Sequence, residues 1–75
     1  MLKKAEKVYF MFLARERLLN ISNEKCLLLN KPETYKRLKR EHTSLEGLTF
    51  RISTNKYTDK DEKRAKKMMA IKKAD

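Results

Sequence analysis

The sequence predicts an α+β fold: a small single domain of about three helices with a short β-strand or wing. Three observations lead to this class. Apolar residues recur at helical spacing over the first twenty positions, capping signals precede two later helices, and one short segment alternates apolar and polar side chains. A chain of 75 residues has room for one domain at most.

The N-terminal segment, residues 1–22, is predicted to be helical over 3–20. The apolar residues that share one face, at spacings of three, four and seven, are Ala5, Val8, Phe12 and Leu19. The run Val8–Ala14 is apolar nearly all round, which is typical of a helix buried in a core or in a dimer interface. A strand through 8–13 is the alternative, because Val, Tyr and Phe favour strands.

The segment 24–57 is predicted to hold a helix-turn-helix followed by a wing. A turn is expected at 20–23, and Cys26–Leu29 fits either a short helix or a buried strand. The next helix is expected over 31–42. Asn30 stands three residues before Glu33, and Pro32 lies in the first turn, where no backbone donor is needed.

The second half of this segment indicates a turn and then a strand. Gly47 is the only glycine and predicts the turn. Apolar and polar residues then alternate over 48–53, as in a half-buried strand with Leu48, Phe50 and Ile52 facing the core. Asn55 and Lys56 are expected in the loop that follows.

The C-terminal segment, 58–75, is predicted to be a helix that extends to about residue 73. Thr58 and Asp61 match a capping box, in which each residue's side chain satisfies the other's backbone amide. The apolar stripe of this helix is thin, so its last turns are expected to fray.

The balance of charge favours a nucleic-acid partner. The chain has twenty Lys and Arg residues and ten Asp and Glu residues, which gives a net charge of +10 and an isoelectric point near 10.0. Such basicity is the usual electrostatic mark of nucleic-acid binding, although a Lys-rich soluble surface gives the same balance.

The chemistry of catalysis is missing from the sequence, so we expect no enzyme, no cofactor and no metal site. His42 and Cys26 are the only residues of their types and stand sixteen positions apart. One cysteine cannot form an internal disulfide, no signal peptide is evident, and the longest apolar run has seven residues. These features predict a cytoplasmic protein that does not span a membrane.

The strongest candidate for a binding site is the cluster Lys36–Arg40, in which four of five residues are basic. A basic helix face can lie in a major groove, where Arg reads guanine edges and Lys contacts phosphates. The alternative is a solvated helix face whose charge serves solubility.

The order of these elements resembles a known family. Residues 27–41 look like the turn and second helix of a helix-turn-helix, and Leu45–Ile52 looks like a wing. This order is similar to the small winged helix-turn-helix DNA-binding proteins of phages and mobile elements, the excisionase type. The segment 48–54, before a capped helix, also resembles the opening of a ribbon-helix-helix protein.

The resemblance implies a regulatory or accessory DNA-binding protein and a set of contact residues. The residues that would face the groove are Thr34, Lys36, Arg37 and Arg40, and Lys39 of the same basic cluster is a further expected contact. The wing would contribute Arg51 and Lys56, and the last helix would add phosphate contacts from Lys60, Lys63, Arg64, Lys66 and Lys67.

Two other functions fit the sequence. One is a small protein-binding inhibitor or adaptor, of phage or mobile-element type, that docks on a larger acidic partner. Its interface residues, which would also serve a homodimer, are Val8, Phe10, Met11 and Phe12. The other is a ribosome- or RNA-associated protein, for which the charge alone suffices.

Overall fold

The fold is all-α, so the predicted α+β class is wrong. The structure, a computed structural model, describes the backbone of residues 1–74 and the side chains of 1–71. It contains the helices α1 (Lys4–Leu27), α2 (Pro32–Ser53) and α3 (Asp59–Ala74), and no strand within the described residues. α1 packs against both α2 and α3. The last helix, predicted to extend to about residue 73, extends to Ala74, and the fraying of its last turns stays a prediction.

The core lies between the inner faces of the three helices. α1 supplies Phe10, Leu13 and Ala14, α2 supplies Leu45, Leu48 and Ile52, and α3 supplies Ala65 and Met69. The side chains of Phe10, Leu48 and Ile52 are completely buried. Because each helix offers only two or three of these residues, the fold depends on all three helices packing together.

α1 is longer than predicted. It continues through the expected turn at 20–23 and includes Cys26, so the strand alternatives for 8–13 and 26–29 are wrong. Ile21 explains the continuation. It is completely buried and lies on the same face as Phe10 and Ala14, seven residues after Ala14 and eleven after Phe10. Burial of this face outweighs the weak helix propensity of Asn20, Ser22 and Asn23.

α2 begins where predicted but runs eleven residues further than 42, to Ser53. Pro32 stands at the start of the helix as expected, although the capping residue is Lys31 and no side chain caps the helix. The buried residues Leu38, Leu45, Leu48 and Ile52 follow at spacings of seven, three and four, which is the helical period. Phe50 is 67% exposed, so the alternating strand and the wing over 48–53 are wrong.

Gly47 lies in the middle of α2 and does not form the predicted turn. A Cβ atom at this position would lie 3.0 Å from Nη1 of Arg51. The Arg51 guanidinium is fixed there, since its Nε and Nη2 donate hydrogen bonds to the two carboxylate oxygens of Asp61 at 2.8 and 3.1 Å. The missing side chain of Gly47 therefore gives this guanidinium the room to reach α3.

The capping box at the start of α3 is confirmed. The Thr58 backbone amide donates to Asp61 Oδ2 at 3.2 Å, and the Asp61 amide donates to Thr58 Oγ1 at 3.3 Å. The pKa of Asp61 lies below its usual range, mainly because Arg51 donates hydrogen bonds to its carboxylate, with a further contribution from Thr58. Asp61 thus caps α3 and joins it to α2.

We expect Gly47→Ala to stabilise the protein more when Arg51 is absent than when it is present. Alanine favours a helix interior by about 1 kcal/mol over glycine. In an Arg51→Ala background this gain should appear in full as a higher midpoint of thermal unfolding. In the unchanged chain, the added methyl group would press on a guanidinium held by Asp61, which should cancel part of the gain. Equal gains in both backgrounds would contradict this account of Gly47.

Candidate nucleic-acid interface

The basic cluster of α2 lies on the side of the helix that faces away from the core. Leu38 and Leu45 point inward, so the helical period turns Lys36, Lys39 and Arg40 to the opposite side. Arg37 lies on the flank of this surface. All four basic side chains are exposed, and none forms a hydrogen bond or salt bridge with another side chain of residues 1–71. They are positioned to meet an external anion.

Two carboxylates of α2 are engaged elsewhere. Glu41 faces α1, where Arg17 donates hydrogen bonds from Nε at 2.6 Å and from Nη2 at 2.9 Å. These bonds keep the pKa of Glu41 below its usual range, and the charges of Arg64 and Arg37 lower it further. Glu46 lies 3.1 Å from Nδ1 of His42. Glu33, in the first turn, lies beside the cluster.

The cluster borders two shallow depressions that share Lys36 and Arg40. The first, of about 330 Å³, is lined by Glu33, Thr34, Lys36, Arg37 and Arg40. The second, of about 450 Å³, is lined by Lys36, Lys39, Arg40, Thr43 and Ser44. Thr43 and Ser44 were not among the predicted site residues, because the helix was expected to end before them. Their short side chains make this part of the surface concave.

The outward row of α2 extends beyond the basic cluster to an aromatic ring. Lys36, Arg40, Thr43, Gly47 and Phe50 follow one another at spacings of four and three, which places them along one side of the helix. Phe50 was predicted to be a core residue of a strand. Its exposure instead places an apolar ring at the far end of the basic surface.

The residues assigned to a wing lie elsewhere. Arg51 is part of α2 and is bound to Asp61, so it is not free to contact phosphate. Lys56 is exposed in the loop between α2 and α3. Thr34 is half-buried at the start of α2. The proposed contact surface therefore consists of the four basic residues of α2, without a wing.

The basic residues of α3 form a second, separate surface. Lys60, Lys63 and Lys67 are exposed on the side of α3 that faces away from Ala65 and Met69. Arg64 is half-buried and donates a hydrogen bond to Ser44 Oγ at 2.6 Å. It thus links α3 to α2, and its guanidinium is not free to make the phosphate contact that was predicted for it.

The predicted protein-interface residues of α1 divide between the core and the surface. Phe10 is completely buried and cannot contact a partner, which corrects its assignment. Met11 is half-buried against the core. Val8 and Phe12 are each 64% exposed, on the face of α1 opposite Phe10.

The chain matches no protein-family model, no curated protein and no solved structure. Among the described residues, no helix combines the length and hydropathy needed to cross a bilayer. No group of three or more His, Cys, Asp or Glu side chains within that part of the chain could hold a metal ion.

Proposed function

We propose that this protein binds nucleic acid, and duplex DNA in particular, through the outward face of α2. The observation that carries the proposal is a set of four exposed basic side chains that form no hydrogen bond or salt bridge with another side chain of residues 1–71: Lys36, Arg37, Lys39 and Arg40. Phosphate contacts from Lys and Arg dominate the affinity of such proteins for DNA. An accessory or regulatory role agrees with a single small domain.

The geometry of a helix supports duplex DNA as the target. An α-helix with its side chains is about 10–12 Å across, and the major groove of DNA is about 12 Å wide. With α2 in the groove, Lys36 and Arg40 at the centre of the outward face would reach guanine edges. Arg37 and Lys39, on its two flanks, would contact phosphates. The Thr43 hydroxyl, one turn beyond Arg40, would donate to a further phosphate oxygen.

A protein partner is the second candidate function. Val8, Phe12 and Leu19 are each more than 60% exposed on the outer face of α1, which no other helix covers. Exposed apolar groups that share a face commonly mark a protein interface. An acidic partner would also complement the net charge of +10.

A cytoplasmic location is part of the proposal. Cys26 is a free, exposed thiol. Exposed thiols persist in reducing compartments and are prone to oxidation or disulfide exchange outside them.

Fluorescence anisotropy across a salt series tests this function. We expect binding to a short duplex to weaken linearly on a log–log plot, with a slope of about −1.8 if two phosphates are neutralised. A single strand and an RNA hairpin of equal length serve as comparisons. Tighter binding to the hairpin than to the duplex would indicate that the target is RNA and not DNA. No binding to any probe at low salt would overturn the nucleic-acid proposal.

A further inference from the structure

Three polar side chains contact one another in sequence where α1 packs against α2. Ser22 Oγ of α1 lies 3.4 Å from His42 Nε2 of α2, and Nδ1 of the same imidazole lies 3.1 Å from Glu46 Oε1. Ser22 and His42 are twenty positions apart, so the packing of the two helices brings them together. A hydroxyl, an imidazole and a carboxylate in this order are the nucleophile, the base and the orienting group of serine hydrolases. We call these three residues the triad.

We infer that the triad hydrolyses small carboxylic esters, with Ser22 as the nucleophile. In the contact with Glu46, Nδ1 of His42 donates its hydrogen to the carboxylate, which leaves the lone pair of Nε2 to accept the Ser22 hydroxyl proton. His42 and Glu46 are four residues apart on α2, so the helix itself holds the imidazole in this tautomer. This activity departs from the sequence-based expectation of no enzyme, which considered His42 only with Cys26.

The reaction has two steps, in which nothing is oxidised or reduced. In the first, Ser22 Oγ forms a bond to the carbonyl carbon and His42 Nε2 takes the hydroxyl proton. The bond from that carbon to the alcohol oxygen then breaks, and the alcohol leaves with the proton from His42. In the second, water gives a proton to His42 and its oxygen bonds to the acyl carbon. The bond to Ser22 Oγ breaks, Ser22 regains the proton, and the carboxylic acid is released.

The surroundings of Ser22 determine which esters would react. Ser22 is half-buried, and the side chains of His42 and Glu46 are 21% and 60% exposed, so an ester reaches the hydroxyl from solvent. Lys25 lies one turn after Ser22 on α1 and forms no salt bridge with another side chain of residues 1–71. Its ammonium group would stabilise the negative oxygen of the tetrahedral intermediate. Because the triad lies at the surface, we expect it to accept a short acyl group and a weakly basic alcohol such as a phenol.

Covalent labelling of the full-length chain with diisopropyl fluorophosphate tests the nucleophile. This reagent bonds to a serine oxygen that a neighbouring base activates, and fluoride leaves. We expect peptide mass spectrometry to find the label on Ser22, while Ser44 and Ser53, the other serines of the chain, stay unlabelled as internal controls. His42→Gln should lower the labelling rate of Ser22 at least about tenfold, since a positioned base typically contributes about 10²–10⁴-fold. Equal labelling of the three serines, or none of any, overturns the inference.

Hydrolysis of p-nitrophenyl acetate provides the second test, in a Cys26→Ala background because a free thiol also reacts with this ester. We expect Ser22→Ala to lower the rate at least about tenfold with an unchanged circular dichroism spectrum. Glu46→Gln should lower kcat and leave KM unchanged, because Glu46 acts only through His42. Asp59→Asn, which removes an exposed carboxylate at the start of α3, is the matched control and should leave both constants unchanged.

An unchanged rate in Ser22→Ala would mean that His42 reacts with the ester by itself, as free imidazole does, and would overturn the inference. Equal losses of kcat in Glu46→Gln and Asp59→Asn would remove Glu46 from the triad. Neither test involves nucleic acid, so the outcome is independent of the proposed function.

Discussion

Replacing Leu48 by alanine is expected to lower the free energy of unfolding by about 3 kcal/mol, as for other buried leucines. Leu48 is completely buried between the three helices, so the substitution would leave a cavity. Replacing Phe50 by alanine is expected to change the free energy by less than about 0.5 kcal/mol, because the ring is exposed. Urea unfolding followed by circular dichroism measures both values.

This pair of substitutions distinguishes the helix in the structure from the strand that the sequence predicted for the same residues. In a half-buried strand, residues 48 and 50 point to the same face and both would be costly to truncate. In α2 they lie about 200° apart around the axis, so only Leu48 reaches the core. Comparable losses from the two variants would contradict the continuous helix. Ile52→Val, a smaller truncation on the buried side, should cost about 1 kcal/mol.

The mistaken strand shows where a local pattern fails. Leu48 and Ile52 are four residues apart, a spacing that satisfies a strand of period two and a helix of period 3.6 equally well. The apolar residue Phe50 lies midway between them, so the three residues alternate with polar ones as in a strand. Leu38 and Leu45 lie earlier on the same face, at the helical spacing from Leu48 and Ile52. This spacing indicates one continuous helix only if Gly47, which lies between Leu45 and Leu48, is not assigned to a turn.

Gly47 could not be placed correctly from its neighbours alone. Its role depends on Arg51, whose position depends in turn on Asp61 in another helix. The start of α2 at Pro32 and the Thr58–Asp61 capping box were predictable, because both are local signals. The basic surface was also visible in the sequence. Its extension to Thr43, Ser44 and Phe50 was not, since it exists only because α2 continues.

The Arg51–Asp61 and Arg17–Glu41 pairs connect the fold to the candidate site. Arg51 holds the start of α3 against the C-terminal half of α2, and Arg17 holds α1 against its middle. Both arginines were indistinguishable from the other basic residues in the sequence. The structure separates the arginines that stabilise the bundle from Arg37 and Arg40, which are exposed and form no salt bridge with another side chain of residues 1–71.

Removing Arg37 and Arg40 together is expected to weaken duplex binding by at least about thirtyfold, since an arginine that contacts a base is typically worth about 1–3 kcal/mol and the loss of a phosphate contact adds to this. The double variant Arg37→Ala with Arg40→Ala should unfold at nearly the same urea concentration as the unchanged protein, because both side chains are exposed. The salt dependence should also become shallower if either arginine contacts a phosphate. Anisotropy titration with the same duplex measures these effects.

The matched control is Lys63→Ala with Lys67→Ala, which removes the same charge from the exposed face of α3. We expect this variant to lose less than about threefold in affinity, since long-range attraction between exposed charges is screened within about 8 Å at physiological salt. Equal losses from the two double variants would mean that net charge, and not the α2 face, drives binding. Full affinity in the α2 variant would exclude Arg37 and Arg40 as contacts and move the search to Lys60, Lys63 and Lys67 on α3.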